Sequence, residues 1–190
     1  ALAALNVSTT EPWQRHTAGA ADVLTLYPAL GQARAFWLAP NDVAAPTGPA
    51  LSADLWQVGE VMSGIAWVEL ATFEAFVPQM LNYESVGGVN FKKGCYTGQE
   101  IVARTHYLGK VKRRTQLMHL NTAIPPQASD DVVNQNNEVI GKIVRSAPAP
   151  AGGYDVLAEI RLDNLEDADL MVNGIKGDIQ QLPYKLQNIN

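Results

Sequence analysis

The chain has 190 residues, 47% of them hydrophobic and 17% charged, with a formal net charge of -5. That length buries a real core, and the composition excludes both a disordered chain and a general polycation that coats nucleic acid. No apolar run reaches the roughly 18 to 20 residues of a spanning helix, and one cysteine excludes an internal disulfide, which fits a reducing cytoplasm.

The chain opens Ala1-Leu2-Ala3-Ala4-Leu5, without an initiator Met or a basic leader, and reads as part of something longer. Val23–Tyr27 and Ala35–Ala39 are short apolar runs between turn formers, and predict a hairpin or two neighbouring strands. Residues 51–64 predict a helix. Leu51, Leu55, Val58 and Met62 recur at spacings of three and four, Ser52 or Asp54 caps the start, and Gly64 marks the stop. Ile65–Val68 predicts a short extended piece, and Thr72–Phe76 a further helical turn or two before Pro78.

Lys93-Gly94-Cys95-Tyr96-Thr97-Gly98-Gln99-Glu100 follows Gly87-Gly88 and holds the only cysteine. Thr97 and Glu100 have the spacing of a capping box, which predicts a helix from about Gly98 to Tyr107 with Cys95 just outside its N-terminus. Flanking lysines and a helix N-terminus favour a thiolate, so Cys95 is the candidate functional thiol, with Lys93 and Tyr96 beside it. His106 is too far along the helix to form a dyad with Cys95. His16, His106 and His119 have no metal-ligand spacing with it, so no metal site is expected.

Residues 92–114 carry seven cations and one carboxylate, a net +6, which leaves -11 on the remainder. Arg104, Lys112, Arg113 and Arg114 therefore form a candidate site for an anion or a partner protein. No aromatic residues interleave in the manner of a single-strand platform, so an anionic cofactor tail or a protein ranks above direct RNA contact.

Beyond Lys112 the texture changes to short strands: Thr115–Leu120, Asp131–Asn134, Val139–Arg145, Tyr154–Arg161, Leu170–Val172 and Gly177–Gln181. Asn173-Gly174 is a hairpin signal, and the spacing predicts a small barrel or sandwich. Two domains are expected, 1–111 and 112–190.

The octapeptide and its Gly87–Lys92 lead-in resemble the signature of the YgfZ family, folate-binding proteins related to the glycine-cleavage aminomethyltransferase. The order of elements before the motif and the closing Gln181-Leu182-Pro183-Tyr184 are similar too. The resemblance implies an α+β chain: the C-terminal part of an aminomethyltransferase-like folate-binding core, then a small antiparallel β-barrel. Family members are longer on the N-terminal side, so part of that core is expected to be missing. It also implies tetrahydrofolate as cofactor, with Trp56 in the position of a folate-contacting tryptophan. Gln79 and Asn82, with Glu84, offer amide and carboxylate groups for a pterin edge. The function implied is an accessory role in tRNA thiomethylation and iron–sulfur protein maintenance. Radical iron–sulfur tRNA-modifying enzymes are the implied partners, and tRNA is met only indirectly. The alternative is a folate-dependent aminomethyl transferase, for which Asp54 and Glu60 are the nearest acid or base.

Overall fold

The computed structural model describes residues 7, 11–165 and 169–187, so the reading of the opening Ala1–Leu5 lies outside the described residues. The chain is α+β. Three strands come first, β1 (Arg15–Ala18), β2 (Ala21–Ala29) and β3 (Gln32–Leu38), in an antiparallel sheet of order β1-β2-β3. The hairpin of β2 and β3 matches the sequence. β1 escaped it because Arg-His-Thr-Ala carries no apolar alternation. The register of β2 against β3 shifts between Leu26 and Ala29, a bulge that accommodates Pro28.

Helix α1 (Ala53–Met62) starts at Ser52, whose side chain accepts a hydrogen bond from Leu55 N. Its buried residues are Val58, Glu60 and Val61, whereas Leu51 and Leu55 stay exposed. The predicted apolar stripe thus covers two surfaces: its C-terminal half enters the core and its N-terminal half lines a cavity. Ser63 caps the helix end, and Gly64 follows at φ +71°. A Cβ there would stand 2.7 Å from the Tyr184 ring and 3.1 Å from Leu182, so glycine is required by both backbone and packing.

The helical turn is displaced: it is a single 3-10 turn at Leu70–Thr72, earlier than Thr72–Phe76, and Ile65–Val68 before it lies in no helix or strand. Helix α2 (Gln99–Tyr107) lies as predicted, but its N-cap is Gly98 at φ +84° with no side-chain cap bond, so Thr97 and Glu100 form no capping box. A left-handed residue at that position turns the chain into the helix without leaving Thr97 at the cap.

Six strands then close an antiparallel barrel: β4 (Arg113–Leu120), β5 (Asp131–Val133), β6 (Val139–Pro148), β7 (Tyr154–Arg161), β8 (Met171–Val172) and β9 (Ile175–Gln180), in the order β4-β7-β6-β5-β8-β9. β9 pairs back onto β4, with Met118 opposite Ile179, so closure removes the free edges. Each strand predicted from the sequence is present within a few residues. Asn173 and Gly174, both at positive φ, make the two-residue turn between β8 and β9.

Alternation along the strands divides the core. Met118, Leu120, Val156, Ala158 and Ile160 point inward with Val132, Ile140, Ile143, Leu170 and Val172. Leu117, Leu157, Val144 and Ala147 point outward and are covered by Val58 and Val61 of α1, with Ala66, Leu81 and Leu182. β7 is therefore buried on both faces except at its ends. The same layer holds α1, and with it Trp56, in a fixed position on the outside of the barrel.

Candidate functional site

The residues singled out from the sequence separate into four places. The first is an apolar cavity of about 570 Å³ between the β2–β3 hairpin and α1, lined by Val23, Phe36, Trp37, Leu51, Leu55 and Trp56 among others. Trp56 presents its indole here, with the Phe36 ring centroid 5.8 Å away at 39°. The Arg34 guanidinium carbon lies 4.6 Å from the indole centroid, a cation–π contact. Arg34 is also ion-paired with buried Glu60. Arg145 of β6 approaches the other Glu60 oxygen at 3.8 Å and reaches Glu69 at 3.8 Å. Gly59 makes room for this network, since a Cβ there would be 3.1 Å from Arg34 Nε.

The cavity is mostly apolar with few polar groups, as small-molecule sites are, and its size suits a ligand of a few rings. β3 is the edge strand of its sheet, so half of its backbone N–H and C=O groups are not used by β2. Nothing in the composition marked Arg34 as part of this site. It was missed from the sequence; a lone arginine in an apolar strand, Ala-Arg-Ala-Phe-Trp, is the signal that could have found it.

The second place is the motif loop. Cys95 is exposed, three residues before the N-cap of α2. Lys93 Nζ lies 4.7 Å from the Tyr96 ring centroid, so the two motif neighbours of the thiol pack on one another. Asn90 Oδ1 accepts from Lys92 N at 2.8 Å and shapes the approach to the loop. Phe91 stacks on His106 at 3.9 Å and 21°, which pins the loop to the last turn of α2. His106 thus has a packing role against Phe91. Among the described residues no group of three or more His, Cys, Asp or Glu is placed to hold a metal.

The third place is a buried polar knot under the start of the barrel. Gln79 Nε2 donates to Val102 O at 2.7 Å, which ties α2 to the preceding loop. Asn82 Nδ2 donates to Thr115 O at 2.8 Å and to Tyr184 Oη at 3.3 Å. Arg114 pairs with Glu84, donates to Asn82 Oδ1 at 3.4 Å and to Gln79 O at 3.3 Å, and reaches Gln187 O at 2.9 Å. Tyr184 Oη donates to Gly64 O at 2.7 Å, and burial pushes its phenol up to about 12. All four expected ligand contacts in this group, Gln79, Asn82, Glu84 and Arg114, are buried. This corrects the reading of Arg114 as a surface cation: its charge is met by Glu84 inside the protein. Gln79 and Asn82 do not line the aromatic cavity; their amide nitrogens donate to backbone carbonyls of other elements, while the buried Gln79 Oε1 has no hydrogen-bond partner among the described residues.

The fourth place is the surface between the end of α2 and the barrel. Lys112 and Arg113 line a cleft there with Lys110 and Arg161. Arg104 is exposed on α2. Arg113 pairs with Glu159 at 2.7 Å, and burial pushes the Glu159 carboxyl up against the opposing pull of Arg113. Of the two carboxylates considered for transferase chemistry, Glu60 is enclosed by two arginines and Asp54 is exposed in the first turn of α1.

No family model matches the chain. Single relatives do. It is 36% identical over 136 residues to the tRNA-modifying protein YgfZ of Colwellia psychrerythraea, covering 71% of this chain and 38% of that protein. The chain belongs to the YgfZ family. The YgfZ protein of an Enterobacter species is 31% identical over 140 residues, and that of Escherichia coli 29% over 140 residues, each covering 70% of this chain and 42% of the relative. The chain spans about two fifths of the length of these curated YgfZ relatives. Among the described residues no helix is long and apolar enough to cross a membrane.

Proposed function

We propose that this chain belongs to a tetrahydrofolate-binding accessory protein that acts in tRNA modification. The observation that carries this reading is its likeness to YgfZ proteins described as tRNA-modifying. Residues before the barrel form the C-terminal part of an aminomethyltransferase-like folate-binding core. The barrel follows from about Lys112.

The aromatic cavity fits the cofactor. Trp56 and Phe36 offer ring faces to a flat pteridine, and edge strand β3 offers backbone donors and acceptors to its rim. Arg34, neutralised by Glu60, holds the indole in place without leaving a naked buried charge. Folate, when bound, supplies one-carbon chemistry; the residues of this chain bind and orient it and keep water from its ring faces. Cys95 is the working thiol, carried on the exposed side of the motif loop where a partner protein reaches it. The partners are radical iron–sulfur tRNA-modifying enzymes, whose iron–sulfur centres the protein helps to maintain during thiomethylation. A single exposed thiol suits the reducing cytoplasm.

Cells carrying Cys95→Ala test this reading. Thiomethylated nucleosides in total tRNA, measured by mass spectrometry, are expected to fall to the level of cells lacking the protein. Unchanged thiomethylation would remove the thiol, and this role for it, from consideration.

A further inference from the structure

The cleft at the C-terminal end of α2 has no role in the folate reading. It has a volume of about 860 Å³ and is lined by Lys110, Lys112, Arg113 and Arg161, with Asp163 as its one carboxylate. It shares no lining residue with the aromatic cavity around Trp56.

Its cations are brought together by the barrel. Arg113 and Arg161 are direct cross-strand partners of β4 and β7. Two like charges facing each other across a sheet cost stability unless anions attend them. Each has one protein carboxylate, Glu159 for Arg113 and Asp163 for Arg161, both at 2.7 Å. Neither carboxylate uses all five guanidinium donors. Among the described residues Lys110 and Lys112 have no ion-pair partner, although Asp163 lies close enough to feel Lys112. The walls are fixed, because Leu162 N donates to Lys112 O at 2.9 Å.

Further exposed cations lie on and before the same helix. Arg104 is exposed on α2, and Lys92 and Lys93 are exposed at its other end beside Cys95. The nine-residue helix between these positions is about 13 Å long. A single small anion would fill little of such a cleft. The lining has no aromatic ring on which a base could stack. Both features fit contact with a sugar–phosphate backbone and not with bases.

We propose that this cleft binds the phosphodiester backbone of folded RNA, without reading its sequence. The proposal rests on the tRNA-modification reading and places tRNA in direct contact with the chain. The sequence alone ranked that contact below a cofactor tail or a protein. The four cations of the cleft and its lack of aromatic rings are what favour that contact here.

The test uses the 190-residue chain, fluorescently labelled unfractionated tRNA and anisotropy from about 50 to 200 mM salt, a range over which phosphate contacts weaken steeply. Lys110→Gln/Lys112→Gln is expected to weaken binding roughly tenfold and to make the slope of log K against log salt shallower by about 1.4 to 1.8. Thermal stability should stay unchanged, since both side chains are exposed. No binding at the lowest salt, or an unaltered slope in the double variant, overturns the proposal. So does displacement of tRNA by a polyglutamate peptide as readily as by unlabelled duplex RNA, which would assign the cleft to an acidic protein. Cys95→Ala is expected to bind tRNA like the parent chain. Loss of cleft binding and loss of thiol-dependent modification are therefore read in separate experiments, and either reading can fail alone.

Discussion

Arg34 lies across the indole of Trp56 while its far side is ion-paired with Glu60, so one side chain joins the edge strand, the helix and the cavity wall. If the cavity holds a pteridine, Trp56→Ala removes a stacking face worth about 0.5–1.5 kcal/mol beyond the area it buries. Tetrahydrofolate affinity, measured by calorimetry, is expected to fall by at least about two- to twelvefold from that stacking alone. Trp56→Phe should recover most of it. Equal affinity in the Ala variant would move the folate site elsewhere.

Removing the cation from that network should cost stability. Arg34→Met leaves Glu60 buried with only the more distant Arg145, at 3.8 Å. Breaking a buried pair costs about 3–5 kcal/mol, and the remaining arginine should hold the loss near the lower end. Arg34→Met/Glu60→Leu is expected to regain most of it in urea unfolding, because an apolar pair leaves no stranded charge.

Adjacent basic residues should behave oppositely. Arg114→Met strands Glu84 in the buried knot and is expected to cost about 3–5 kcal/mol. Lys112→Gln, two residues earlier and exposed, should change stability by less than about 0.5 kcal/mol. Similar losses for both would contradict the inward placement of Arg114.

Gly64→Ala tests the seam between α1 and the C-terminal Leu182-Pro183-Tyr184 segment. The substitution meets a positive φ and a ring at 2.7 Å together. A loss of about 2–3 kcal/mol in denaturant unfolding is expected from strain and overpacking combined.

Tyr184 sets an alkaline limit. Burial raises its phenol to about 12, above the ordinary value of 10. Because the folded value is the higher one, this contribution is complete below pH 10 and is lost as pH rises through about 12. The loss amounts to about 3 kcal/mol at most for such a shift. Tyr184→Phe gives up the hydrogen bonds to Gly64 O and from Asn82, and should cost about 1–2 kcal/mol at neutral pH. Its deficit against the parent chain is expected to shrink above pH 10.

What the sequence determined by itself is local. The strands of the barrel follow from apolar runs bounded by turn formers. The Asn173-Gly174 turn follows from two positive φ angles, and the start of α1 from the Ser52 cap. The motif placed Cys95 before α2, because the signature and the helix pattern are contiguous. Tertiary structure decided which charges are available. Arg113 and Arg114 are neighbours in sequence, yet strand alternation sends one toward a surface cleft and the other into a buried pair with Glu84. It also decided the roles of Gln79 and Asn82, whose amides found backbone acceptors 23 and 33 residues away. Arg34 meets Glu60 across 26 residues, and Arg161 meets Arg113 only through strand register. A side chain's chemistry is written in the sequence, but its burial and its partners depend on chain segments that no local pattern connects.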